Sequence, residues 1–120
     1  MTLKEYQDAA MTTCTNSSNN FAYMMLNLVG EVGEFASKVA KLIRKEKCCI
    51  DGNDYNRLQL RTEWSFTEEE LKKEAGDILW QLSGLCSVMG WSLEEIAQMN
   101  LDKLADRQKR NVIVGEGDNR

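Results

Sequence analysis

Two short acidic pairs, Glu31-Val32-Gly33-Glu34 and Glu74-Ala75-Gly76-Asp77, each sit on a helix-patterned apolar stretch. Acids three positions apart share a helical face, with β-carbons roughly 5–6 Å apart, so each pair repels itself unless something positive lies between its members. Four carboxylates from two helices make a site for a hard cation. Magnesium suits it, because it takes oxygen ligands and keeps water positions that a phosphate chain can fill. The expectation is magnesium-dependent chemistry on a polyphosphate. Histidine is absent, which removes Ser-His and Cys-His triads, imidazole acid–base chemistry and the Glu-x-x-His pairs by which ferritin-like bundles hold iron. Carboxylates, lysines and water on a metal remain as acid and base.

At about 100° per residue, Asn27, Glu31, Glu34 and Lys38 fall on one stripe beside an apolar helix face, and Glu70, Glu74, Asp77 and Gln81 repeat the geometry on another. Two such stripes can face each other across a groove, half buried, where metal ligands need to be. A solvated face would more often mix acids with bases at four-residue spacing. Gly33 and Gly76 inside the pairs cost roughly 1 kcal/mol each against alanine in a helix. Close helix approach or ligand access would account for them.

Four helices must position these residues. Thr2-x-x-Glu5, Thr67-x-x-Glu70 and Ser92-x-x-Glu95 have the capping-box pattern and predict helix starts near Leu3, Glu68 and Leu93. The first helix should end by Thr13, before a polar stretch from Cys14 to Asn20 that competes with helix by local hydrogen bonding. A second runs from Phe21 to about Lys47, with Leu28, Val32, Phe35, Ala36, Val39 and Ile43 at helical spacing. The third runs to about Met89 and the fourth to about Lys109. The third helix's apolar face reads Leu71, Ala75, Ile78, Leu79, Leu82, Leu85 and Met89. Residues 48–66 lack periodicity and read as a loop. The tail from Asn111 carries a short β-prone run, Val112-Ile113-Val114.

The 120 residues make one all-α domain of bundle size, with a net charge of −4 that disfavours a nucleic-acid polymer as partner. No apolar signal core opens the chain and no run approaches bilayer length, so a cytoplasmic protein without membrane contact is expected. Cys14, Cys48, Cys49 and Cys86 form no CxxC pair and read as reduced thiols. The absence of proline suits long helices.

Leu28-Val29-Gly30-Glu31-Val32-Gly33-Glu34, then Glu74-Ala75-Gly76-Asp77-Ile78-Leu79-Trp80, then Asn100-Leu101-Asp102-Lys103-Leu104-Ala105-Asp106-Arg107, together resemble the MazG-like all-α nucleoside triphosphate pyrophosphohydrolases. The resemblance covers nearly the whole chain from Tyr23. It implies a four-helix core in a dimer or dimer of dimers, with nucleotide bound between subunits. It also implies hydrolysis of a (deoxy)nucleoside triphosphate at the α–β bond to monophosphate and pyrophosphate, in the service of nucleotide-pool cleaning. Magnesium, for which manganese can substitute, would be held by Glu31, Glu34, Glu74 and Asp77, with Glu34 or Glu31 as base toward water. The chain departs from the family in a longer stretch from Phe35 to Lys73, and in Gln81, where relatives often carry tyrosine.

Expected substrate contacts are Asn27, Lys38 and Gln81 on the stripes, with Lys41 one turn on. Asn100, Lys103 and Arg107 share a face of the fourth helix; Lys and Arg bind phosphate, Arg bidentately, although cations near a helix carboxyl end also serve its dipole alone. Asp118 and Arg120 in the tail are weaker candidates. Trp64, in the unpatterned segment, is the candidate base contact, while Trp80, Trp91 and the methionines read as packing. The broad apolar face of the second helix predicts a homodimer or homotetramer. A rival reading is a non-catalytic, cation-binding helical interaction protein. A rival within enzymes is an all-α hydrolase of a phosphoribosyl-nucleotide or a single pyrimidine nucleotide.

Overall fold

The structure, a computed structural model, describes residues 1–45, 48–50, 58–60, 64–115 and 117. Helices α1 (Leu3–Met11), α2 (Phe21–Arg44), α3 (Trp64–Val88) and α4 (Leu93–Lys109) carry the fold, and a small antiparallel hairpin, β1 (Cys48–Ile50) and β2 (Leu58–Leu60), lies between α2 and α3. Cys48 pairs with Leu60 and Ile50 with Leu58. The hairpin stands where a loop was expected, since three-residue strands are too short to show a period.

Two of the expected caps form. Thr2 Oγ1 accepts from the Glu5 amide at 3.0 Å while Glu5 Oε2 accepts from the Thr2 amide at 2.9 Å, and Ser92 Oγ accepts from the Glu95 amide at 3.3 Å. Asn20 caps α2 through the Tyr23 amide at 2.8 Å. The third box does not cap: α3 begins at Trp64, so Thr67 and Glu70 lie inside it. At the other end, α2 stops at Arg44, with Lys45 as its C-cap, short of Lys47.

α2 and α3 run antiparallel along each other, and α1 lies across α3 and α4. The fully buried Met24 of α2 packs on Gly84 of α3. A β-carbon at Gly84 would overlap Met24 Sδ and lie 2.6 Å from its Cε, so glycine there is what lets Met24 take its buried place between the helices. Gly33 and Gly76 are not approach points, because a β-carbon at either would meet nothing within 4 Å. The face that α3 buries also differs from the expected one. Leu71, Glu74, Gln81, Ser83 and Cys86 are buried, while Leu82 and Met89 are substantially exposed, because α2 and α1 grip α3 from two sides. Met25 and Met99 are likewise exposed and fill no core within the chain, and Trp91 is about half exposed.

α1 is fastened by side-chain hydrogen bonds. The buried Gln7 donates from Nε2 to Ser87 Oγ at 2.9 Å and to the Trp91 carbonyl at 3.0 Å, and its Oε1 accepts from the Leu93 amide at 2.8 Å. Trp80 Nε1 donates to Thr13 Oγ1 at 2.9 Å and the Ala10 carbonyl at 3.2 Å. Past α4 the chain turns at Asn111, whose φ of 59° is left-handed, so 112–114 form a turn rather than a strand. The Val112 amide then donates to the Arg107 carbonyl at 3.0 Å, as helix ends commonly do. Asp118 and Arg120 lie outside the described residues. Among the described residues no helix is long and apolar enough to cross a membrane.

Candidate active site

The antiparallel pairing of α2 with α3 turns two sequence stripes into one groove. Glu31 from α2 meets Glu74 and Asp77 from α3, with one carboxylate oxygen of each lying within 4.8 Å of the others. Glu74 is buried, Glu31 half-buried and Asp77 exposed, so the trio opens from the helix interface toward solvent. Glu34, the fourth expected ligand, is exposed and lies outside this trio. It is near enough for its charge to act on Glu31.

The two more buried acids share an arrangement. Glu31 Oε1 accepts from Asn27 Nδ2 at 3.3 Å, and Glu74 Oε1 takes an ion pair from Lys38 Nζ at 2.7 Å. In each, the other oxygen, Oε2, is buried and has no hydrogen-bond partner. A buried polar atom left unpaired costs about 1–3 kcal/mol, more when charged. Two carboxylates of one acidic cluster, each held by a neighbour through one oxygen and with the other buried and unpartnered, fit a divalent cation with oxygen ligands.

The electrostatics agree with the geometry. Burial pushes the Glu31 carboxyl above its ordinary value, and the charges of Glu34, Asp77 and Glu74 push it further, while the Asn27 hydrogen bond opposes them. The Lys38 ammonium is raised chiefly by its hydrogen bond to Glu74. Tyr6 of α1 is raised by burial and then by the charge of Asp77, which brings a third helix to the rim of the acids. Sequence patterning did not single out Tyr6; nothing in the spacing of α1 aims it at α3.

Gln81 is buried one turn past Asp77, and its Oε1 has no partner. Asn27 and Lys38 thus touch Glu31 and Glu74, and Gln81 lies on the same α3 stripe as Glu74 and Asp77. Of the expected contacts from α4, Asn100 and Lys103 are exposed on a helix that packs on α1 and α3. Arg107 is buried, with Nη2 donating to the Gly117 carbonyl at 3.4 Å. Trp64 opens α3, and its side chain lies outside the described residues.

Residues 19–112 match the MazG nucleotide pyrophosphohydrolase domain. The chain is also similar to the Gene 37 protein of Mycobacterium phage L5, 34% identical over 122 aligned residues that take in 96% of each chain. No solved structure matches. The matched span holds both acidic pairs and all of α4, and it omits α1.

Proposed function

The chain belongs to the MazG nucleotide pyrophosphohydrolase family, and from that premise we propose that it hydrolyses a (deoxy)nucleoside triphosphate between the α and β phosphorus atoms, releasing a nucleoside monophosphate and pyrophosphate. The observation that carries this reading is the pair of buried, unpartnered oxygens on Glu31 and Glu74 beside Asp77. Magnesium, or manganese in its place, would be held by Glu31, Glu74 and Asp77, with Glu34 joining from the open side. When bound, such an ion neutralises phosphate oxygens and lowers the pKa of coordinated water.

The chain's own groups do the rest. Glu34, exposed at the edge of the trio, accepts the proton of the attacking water, with Glu31 as the alternative base. Asn27 and Lys38 fix the carboxylates they touch, so the acids need not reorganise when charge develops. Gln81, with an unused acceptor at the amide end of the groove, is suited to meet an amino group on the substrate. The biological role proposed is nucleotide-pool cleaning.

A homodimer or homotetramer completes the proposal. The radius of gyration is 17.7 Å, against about 13.6 Å for a compact domain of this length. Phe21, Leu26, Val29 and Val32 of α2 and Met99 and Leu101 of α4 each leave half or more of their surface exposed. A second copy would cover these faces and bring Asn100, Lys103 and Trp64 toward the groove.

A panel of nucleoside triphosphates with magnesium is the test. Monophosphate and pyrophosphate should appear in equal amounts, and chelation should stop the reaction. Orthophosphate as the first product, or no turnover of any member, would overturn the reading. A fully active monomer by light scattering would overturn the shared site.

A further inference from the structure

One turn past the carboxylates the groove between α2 and α3 becomes basic. Lys38, Lys41 and Lys45 lie on one face of α2 at three- and four-residue spacing. With Thr67, Glu70 and Leu71 of α3 they line a cavity of about 220 Å³. Three ammonium groups against the single Glu70 carboxylate leave the lining with two positive charges. Lys38 is engaged with Glu74, whereas Lys41 and Lys45 form no ion pair with a described residue. The cavity holds the volume of about seven waters, which is more than one ion needs. Among the described residues no aromatic side chain lines it.

We propose that this basic end of the groove binds the terminal phosphates of the substrate, the part that departs as pyrophosphate, through Lys41 and Lys45, with Lys38 linking it to the acids. The proposal rests on the pyrophosphohydrolase reading and adds a direction to it. A triphosphate lies along α2 with its scissile bond at the acids and its free end toward Lys45, each helical turn advancing about 5.4 Å. The lysines meet the charge that gathers on the leaving group as the bond to the α phosphorus breaks. They also make the enzyme select triphosphates over shorter phosphate chains and make pyrophosphate a competitive product. The competing role for Lys41 and Lys45 is to complement the carboxyl end of α2, which would make them matter to helix stability and to no ligand in particular.

The experiment titrates the full chain with magnesium alone, inorganic pyrophosphate with magnesium, and a nucleoside monophosphate with magnesium. It compares wild type with the double variants Lys41→Gln/Lys45→Gln and Lys41→Arg/Lys45→Arg by calorimetry, with circular dichroism as the check on folding. Removing both charges should weaken pyrophosphate binding at least about tenfold and leave the other two affinities within about twofold; the arginine pair should bind pyrophosphate as wild type does. Unchanged pyrophosphate affinity in the glutamine pair overturns the proposal, as does a parallel loss for all three ligands. Because pyrophosphate binding is read without turnover, the two readings fail separately. Wild type that hydrolyses no triphosphate sinks the enzyme reading, while a selective pyrophosphate loss in the same protein would still uphold the basic pocket.

Discussion

The molecule buries polar side chains at two junctions and treats them in opposite ways. Where α1 meets the α3–α4 turn, Gln7 has all of its principal hydrogen-bonding capacity used, by Ser87, Trp91 and Leu93. Where α2 meets α3, Glu31, Glu74 and Gln81 each keep an oxygen buried and unpaired. Burial is common to both, so burial does not separate a structural polar group from a functional one. Satisfaction does: the first junction is complete within the chain, and the second is complete only with something bound.

Substitutions at the two junctions should therefore move different quantities. The largest effect belongs to the acids: Glu31→Gln or Glu74→Gln should lower turnover by more than about 100-fold, beyond the range seen when only the neighbours of metal ligands are changed. Thermal unfolding of metal-free Glu31→Gln should match or exceed that of wild type, because a like-charge cluster has been relieved without breaking an ion pair. Near-wild-type rates in both would erase the contrast. Gln7→Ala should do the reverse, destabilising the fold by about 2–3 kcal/mol through orphaned partners at Ser87, Trp91 and Leu93, with magnesium affinity held when measured well below the melting temperature. Urea unfolding and a metal titration on that variant separate the two cases. Asn27→Ala is expected to weaken magnesium binding about 10-fold to 100-fold, since it removes the Nδ2 donor that orients Glu31 through Oε1; an unchanged affinity would show that the hydrogen bond is incidental.

The smallest effect is in pH. Burial, and then its acidic neighbours, raise the Glu31 pKa in the folded state, so the folded protein without metal holds that proton more tightly than the unfolded chain does. The resulting stabilisation is complete below the unfolded carboxylate value of about 4.3 and is lost as pH rises through the raised value. Wild type in chelator should therefore lose stability relative to Glu31→Gln over that interval. A difference that stays flat with pH would mean that Glu31 is no more strained than a surface acid.

Sequence periodicity carried the main helices and the acidic stripe because both repeat every turn, and Thr2, Ser92 and the Glu74 region needed only local spacing to be read. What escaped it depends on pairing across distance. The spacing of Glu74 and Gln81 turns that stripe toward α2, but nothing in it says that Leu82, on the expected apolar face, stays exposed. Three-residue strands carry too little pattern to announce a hairpin, and Thr67 imitates a cap because the same hydroxyl–glutamate spacing also fits the interior of a helix. Tyr6 comes under the charge of Asp77 only because α1 packs on α3. Helical spacing put Arg107 on one face with Asn100 and Lys103, but its donation to the Gly117 carbonyl depends on the turn of the tail, which that spacing does not carry.

The contact of Met24 with Gly84 gives the α2–α3 pair a mechanical axis. At a rise of 1.5 Å per residue, Glu74 lies roughly 15 Å along α3 from Gly84, and Thr67 roughly 25 Å. For two rigid rods turning about that contact, a displacement of about 1 Å at the Thr67 end reaches the carboxylates as about 0.6 Å. A side chain larger than glycine at 84 would have to displace Met24, and any tilt it forced between the helices would be felt at the carboxylates as well as at the Thr67 end.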